Sequence, residues 1–118
     1  MARELGAADA VATSDLTVLE IHRALSRLVA QGRLAGADAD DLRKTFLRAS
    51  RHWSVAPISR RALAAARGPF PCEPVRSLDA IHLAIVSRLR EDVPDLGVLS
   101  LDERIRENAR LFGVTVLP

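Results

Sequence analysis

The chain has 118 residues, of which 48% are hydrophobic and 27% are charged, and its formal net charge is +2. This length predicts one domain with a single core. No run of about 18 apolar residues occurs and the first residues lack an apolar segment, so we expect neither a membrane-spanning helix nor a signal peptide.

The first predicted elements are a helix end, a short strand and a long helix. Residues 2–6 resemble the end of a helix, and residues 10–13 form a short apolar run that predicts a buried strand. Thr17 and Glu20 have the spacing of a capping box, which predicts the start of a helix. Apolar residues then recur at helical spacing until Gly32, which predicts the end of that helix.

Asp38 is predicted to cap the next helix. Its apolar residues would form a buried stripe consisting of Leu42, Phe46, Ala49 and Trp53. Its other side carries the basic residues Arg43, Lys44, Arg48 and Arg51. Residues 54–58 are predicted to be extended, and Pro57 favours an edge position for them.

Ser59 is predicted to cap a short alanine-rich helix. Residues 68–76 contain three prolines and predict an irregular loop. A long helix would follow from Leu78, with a buried stripe formed by Leu78, Ile81, Ile85 and Leu89.

The last predicted elements are a strand, a helix and a closing strand. Residues 97–100 form the strand, Ser100 and Glu103 form a second capping box, and Gly113 ends the helix. Residues 114–117 form the closing strand. Because strands alternate with helices, the pattern predicts an α/β fold around a mostly parallel sheet.

Arginine supplies almost all of the positive charge, because Lys44 is the only lysine. Arginine binds phosphate groups through a planar fork, so a partner that carries phosphate is one explanation. Codon bias in a GC-rich genome is the other, since alanine is abundant too. Cys72 is the only cysteine, so no intramolecular disulfide can form, and we expect a cytoplasmic protein.

Three carboxylates are predicted to lie at three helix starts: Glu20, Asp79 and Asp102. If they converge, they suit a hard divalent cation, which prefers oxygen ligands. Asp102 also follows a predicted strand, at the end of the sheet where α/β proteins bind ligands. Each residue has a structural alternative, because acidic groups in first turns also interact favourably with the helix dipole. His82, three residues after Asp79, would share its face of the helix.

Two segments resemble the second half of PIN-domain ribonucleases of the VapC toxin type. They are residues 76–84 (Arg-Ser-Leu-Asp-Ala-Ile-His-Leu-Ala) and residues 99–104 (Leu-Ser-Leu-Asp-Glu-Arg). Residues 13–25 look like the family's second conserved block, and residues 113–118 resemble its close. The resemblance covers nearly the whole chain. It implies that residues 1–118 form a single PIN-like domain, a three-layer sandwich with a mostly parallel sheet flanked by helices.

The resemblance also implies a function. Members of this family are metal-dependent endoribonuclease toxins that a small VapB-like antitoxin holds inactive, and they are expected to form homodimers. Glu20, Asp79 and Asp102 match three of the family's four acidic positions. They are therefore the expected catalytic residues and ligands of Mg²⁺ or Mn²⁺, which would promote hydrolysis of RNA phosphodiesters.

The family's opening strand and the aspartate that ends it have no counterpart in the sequence. We therefore expect a PIN-like fold that lacks its usual first strand and one acidic residue. An upstream start codon, decay of the toxin, or completion by another chain would each explain this.

Three interpretations remain open. The first is an active ribonuclease toxin, and the second is a catalytically impaired remnant that binds an antitoxin or another toxin subunit. A weaker third is a metal-dependent DNA nuclease on the same fold. In any of these, the basic helix at residues 40–53 serves an antitoxin or RNA, or is simply a solvated helix face.

Overall fold

The computed structural model describes residues 8–118 and divides the chain into two compact units. Residues 10–57 form the N-terminal unit, and residues 58–118 belong to the C-terminal unit. The helix end predicted at residues 2–6 lies outside the described residues.

The N-terminal unit contains two strands and two helices. In chain order these are β1 (Ala12–Ser14), α1 (Asp15–Ala30), α2 (Gly36–Ala49) and β2 (Ser54–Ala56). The strands pair in parallel, with Thr13 opposite Val55, and α1 packs against α2. Both strands were predicted. β1 begins two residues later than the predicted run at residues 10–13, and β2 ends two residues before the end of the run predicted at residues 54–58.

The capping box predicted at Thr17 and Glu20 is wrong, because α1 begins earlier. Ser14 is the N-cap: its backbone is extended, with φ −127° and ψ 159°, and its Oγ accepts a hydrogen bond of 3.1 Å from the Thr17 N–H. This is the usual way in which a serine satisfies a free amide at a helix start. The helix ends as predicted, since Gly32 has a φ of 69°, a conformation that glycine adopts without strain.

The start of α2 also differs from the prediction. Ala35 is the N-cap and makes no side-chain hydrogen bond, whereas Asp38 lies in the first turn of the helix. An acidic residue there still interacts favourably with the positive end of the helix.

The apolar stripe predicted for α2 is only partly correct. Leu42 is 47% exposed, whereas Ala39 is fully buried. Phe46 and Trp53 are half-buried and pack edge to face, with ring centroids 6.0 Å apart and an interplanar angle of 82°. The aromatic part of the stripe therefore packs as expected, and the aliphatic part does not.

The C-terminal unit contains three helices and two strands. In chain order these are α3 (Arg60–Ala65), α4 (Ser77–Asp92), β3 (Gly97–Val98), α5 (Glu103–Leu111) and β4 (Thr115–Val116). The strands again pair in parallel, with Gly97 opposite Thr115. Ser59 caps α3 as predicted, because its Oγ accepts a hydrogen bond from the Ala62 N–H.

The core of the C-terminal unit lies between α4, α5 and the two strands. Its buried members are Leu83, Val98, Ile105, Ala109 and Val114, and the partly buried residues that pack on them include Phe70 and Phe112. Ile105, Ala109 and Phe112 therefore face the core of this unit, as the sequence predicted.

The buried face predicted for α4 is only partly correct, because Ile85 is buried as expected but other residues of the predicted stripe are not. Leu78 is 51% exposed, and the buried residues of the helix are Ala80, Leu83, Ala84 and Ile85. Both α3 and α5 pack against α4.

The α/β fold class is confirmed, since each unit combines helices with a parallel pair of strands. Within residues 8–118, no helix combines the length and the apolar character that crossing a membrane requires.

Candidate metal centre

Asp79 lies in the first turn of α4, as predicted. The N-cap of this helix, Arg76, makes no side-chain cap, so the first amides of α4 are free to favour a nearby negative charge. Asp79 is half-buried, and no residue between 8 and 118 gives its carboxylate a hydrogen bond or an ion pair. A carboxylate in this environment is available to a cation.

Asp102 is the N-cap of α5. The sequence predicted instead that Ser100 would be the cap and that Asp102 would lie in the first turn. Its Oδ1 accepts hydrogen bonds from the Arg104 N–H at 2.9 Å and the Ile105 N–H at 3.1 Å. The Ser100 Oγ accepts a hydrogen bond from the Asp102 N–H instead of capping the helix. Both cap bonds use Oδ1, so capping does not occupy Oδ2.

Glu103, the predicted capping-box partner, interacts with arginines of its own helix. Its carboxylate lies 3.7 Å from the Arg106 Nε and 3.3 Å from an Arg110 guanidinium nitrogen. Glu103 itself is exposed, so these pairs contribute little to stability.

Glu20 lies in the second turn of α1, because that helix begins at Asp15. It is half-buried and belongs to the N-terminal unit, whereas Asp79 and Asp102 belong to the C-terminal unit. Neither unit, as far as it is described, groups three His, Cys, Asp or Glu side chains that could hold a metal ion. The convergence of the three carboxylates stays a prediction.

Asn108 is a structural residue that the sequence analysis missed. It is fully buried, and its Oδ1 accepts a hydrogen bond of 2.8 Å from the Cys72 N–H. Its Nδ2 donates to the Cys72 carbonyl at 3.0 Å and to the Arg104 carbonyl at 3.1 Å. Asn108 thereby ties the loop that leads into α4 to the side of α5.

Arg106 fixes the segment before Asp102 in a similar way. One guanidinium nitrogen donates to the carbonyl oxygens of Ser100 and Leu117, each at 3.0 Å. Together, Asn108 and Arg106 hold the chain that precedes Asp79 and the chain that precedes Asp102 against α5. The burial of Asn108 had one signal in the sequence, because this residue lies three positions after Ile105 and therefore on the apolar side of α5.

Comparison with known proteins identifies the family of this chain. No protein-family model matches the sequence. Ribonuclease VapC46 of Mycobacterium tuberculosis is 34% identical over 99 residues, an alignment that covers 81% of this chain and 74% of the relative. An identity of this size over most of both chains, together with the α/β fold, shows that the chain belongs to the VapC ribonuclease family.

Proposed function

We propose that the protein is an endoribonuclease toxin of a toxin–antitoxin pair that hydrolyses RNA phosphodiesters with the help of Mg²⁺ or Mn²⁺. The observation that carries the proposal is the 34% identity with a ribonuclease over most of the chain. Glu20, Asp79 and Asp102 are the proposed catalytic residues and metal ligands.

The donor chemistry of these residues suits a hard divalent cation, because all three offer carboxylate oxygens. Two observations support their availability. Asp79 has no charged partner in the part of the chain that the structure describes, and the cap at Asp102 uses only one of its two oxygens. When bound, the cation would activate water and offset the negative charge that builds on the phosphate during hydrolysis.

From membership of the family, we also propose that residues 1–118 act as a single PIN-like domain. RNA as substrate, a small VapB-like antitoxin as inhibitor, a homodimeric state and a cytoplasmic location complete the proposal, and each comes from membership of the family.

A second candidate function is a catalytically impaired toxin that still binds an antitoxin or another toxin subunit. One observation favours it: neither described unit has a three-ligand metal site of its own. Such a protein would keep its binding surfaces and would not cleave RNA.

The test is cleavage of a fluorescently labelled RNA by the purified chain with Mg²⁺, with Mn²⁺ and with EDTA. We expect cleavage only with a divalent cation, and loss of most of it in Asp79→Asn, because the amide keeps the shape of the side chain but removes its charge. Asp92→Asn is the matched control, since Asp92 is exposed at the other end of α4. It should cleave like the parent.

Two results would reject the nuclease. One is cleavage that survives EDTA, and the other is an Asp79→Asn variant as active as Asp92→Asn. A DNA strand of the same sequence, assayed in parallel, separates a ribonuclease from a DNA nuclease on the same fold. Circular dichroism of each variant shows whether a loss of activity reflects loss of folding.

A further inference from the structure

Leu101 is the most exposed of the large apolar side chains in residues 8–118, with 85% of its surface open to solvent. It directly precedes Asp102, so the Cα atoms of the two residues lie about 3.8 Å apart. An exposed leucine also precedes Asp79, since Leu78 is 51% exposed. Each proposed metal ligand of the C-terminal unit therefore has an exposed apolar neighbour.

The backbone on both sides of Leu101 is held in place by hydrogen bonds. The Ser100 carbonyl oxygen accepts one of 3.0 Å from an Arg106 guanidinium nitrogen, and the Ser100 Oγ accepts one of 3.1 Å from the Asp102 N–H. Asp102 is fixed in turn, because its side chain caps α5 and its carbonyl oxygen accepts a hydrogen bond from the Arg106 N–H. A fixed turn therefore presents Leu101 to solvent beside Asp102.

A single exposed leucine is common on protein surfaces and needs no special explanation. Leu101 differs from such a residue because it combines the highest exposure with a held position next to a proposed metal ligand. Leu111, the last residue of α5, is 59% exposed and has no proposed ligand beside it. Leu111 is therefore the matched comparison for Leu101.

The chemistry of leucine indicates what it would contact. A phosphodiester held at Asp102 through a cation brings the nucleotides on either side of it close to Leu101. The leucine side chain has no hydrogen-bonding group, so it gains nothing from phosphate or ribose hydroxyls. It gains free energy by covering apolar surface, and the faces of the bases are the apolar surface of a nucleotide. Leucine and other apolar side chains pack against bases in complexes of proteins with nucleic acids.

We propose that Leu101 packs against an RNA base next to the cleaved phosphodiester and so positions the substrate strand. This inference rests on the proposed function, because RNA is its ligand. The contact is the same in the bound substrate and in the transition state, so it lowers KM and leaves kcat almost unchanged. It tolerates any sequence, because every base has a face that an apolar group can cover.

Binding of RNA tests the contact without cleavage. The anisotropy of a fluorescently labelled single-stranded RNA is measured with Ca²⁺ in place of Mg²⁺, since Ca²⁺ also takes oxygen ligands. We expect Leu101→Ser to bind about three- to ten-fold more weakly than the parent, because it removes the apolar area that the base covers. Leu101→Met keeps that area and should bind like the parent, as should the control Leu111→Ser.

A second ligand distinguishes the bases from the backbone. An oligomer of abasic spacers of the same length keeps the phosphates and lacks the bases. The parent and Leu101→Ser should bind it equally well, which completes a double-mutant cycle between the leucine and the base. Urea unfolding and Mn²⁺ titration of Leu101→Ser should match the parent, since a change at an exposed site alters stability little.

Cleavage provides the kinetic counterpart. With Mg²⁺ or Mn²⁺, Leu101→Ser should raise KM by the same factor by which it weakens RNA binding, and kcat should stay within about two-fold of the parent. Leu101→Met should restore KM. A purely structural role of Leu101 would not produce this separation of KM from kcat, because partial unfolding lowers the apparent kcat.

Three results would overturn the proposal: Leu101→Ser binds RNA and cleaves it with the KM of the parent, Leu111→Ser loses as much affinity as Leu101→Ser, or Leu101→Ser loses the abasic oligomer as strongly as it loses RNA. The nuclease itself is judged separately. A parent that binds RNA through Leu101 and cleaves none of it rejects the nuclease and keeps the contact. Normal cleavage by Leu101→Ser rejects the contact and keeps the nuclease. A parent that binds no RNA rejects both.

Discussion

At the scale of single residues, Asp102 combines two demands in one side chain. As the N-cap of α5, it accepts two backbone hydrogen bonds through Oδ1. As a proposed metal ligand, it must supply negative charge. Asparagine caps a helix about as well as aspartate but carries no charge, so substitution can separate the two roles.

We expect Asp102→Asn to unfold in urea at nearly the same concentration as the parent. Asp102→Ala should lose about 1 kcal/mol of unfolding free energy, the usual cost of removing a cap. Both variants should lose cleavage of RNA, because both remove the charge. An Asn variant as unstable as the Ala variant would show that Asp102 stabilises α5 through its charge and not through the cap.

Asn108 connects the loop before α4 to α5 through two hydrogen bonds to Cys72. In Asn108→Ala, the partly buried amide and carbonyl of Cys72 lose this partner. The expected loss is about 2–4 kcal/mol, since each unsatisfied buried polar group costs about 1–3 kcal/mol. Urea unfolding measures this loss, with Glu107→Ala at the exposed neighbouring position as the control.

The same variant should expose Cys72, because its loop is no longer held against α5. The Cys72 thiol is half-buried and accepts a long hydrogen bond of 3.4 Å from Arg104. We expect it to react faster with a thiol reagent in Asn108→Ala than in Glu107→Ala. Equal rates and equal stability in the two variants would contradict the role assigned to Asn108.

At the scale of elements, the sequence predicted every helix within residues 8–118 but placed several starts incorrectly. Two candidates for the cap of α1, Ser14 and Thr17, lie three residues apart, and local rules accept both. Pairing of β1 with β2 decides between them, because it keeps Ser14 extended at the end of the strand. Ser100 and Asp102 present the same ambiguity before α5.

The buried face of α4 was unpredictable for a related reason. Its apolar residues surround the helix, so helical spacing supports more than one buried stripe. The stripe that begins at Leu78 is only partly used, and the face with Ala80 and Ala84 is buried. Small residues such as alanine carry a weak hydrophobic signal in the sequence, so the pattern did not identify this face as buried.

The candidate site was predictable only in part. The sequence placed Asp79 correctly in the first turn of α4, whereas its role as a metal ligand stays a prediction. The sequence could not show that Asn108 fixes the loop before α4, because Asn108 and Cys72 lie 36 positions apart in the chain and a local pattern does not contain their contact. The cap at Asp102 is a local contact, but Ser100 lies two residues earlier and is an equally suitable cap residue, so the pattern did not distinguish the two.

At the scale of the whole molecule, we expect the two units to fold and act as one domain. The chain carries one natural reporter in each unit: Trp53 in the N-terminal unit and Cys72 in the C-terminal unit. In urea, we expect Trp53 fluorescence and the thiol reactivity of Cys72 to change at the same concentration, as in a two-state transition. Midpoints that differ beyond error would mean that the units unfold independently.

We propose above that Glu20, Asp79 and Asp102 together bind a divalent cation. The most direct test of this proposal is titration of Mn²⁺ into the folded protein by isothermal calorimetry, which requires no substrate and no antitoxin. Asp15→Asn is the control for α1 and Asp92→Asn is the control for α4, because both residues are exposed at ends of those helices.

We expect saturable Mn²⁺ binding by the parent and by both controls. Glu20→Gln, Asp79→Asn and Asp102→Asn should each weaken it by about ten-fold or more, because the affinity for a hard cation decreases when a charged ligand is lost. If the three variants bind Mn²⁺ as tightly as the controls do, the carboxylates do not share a site and the proposed mechanism is wrong.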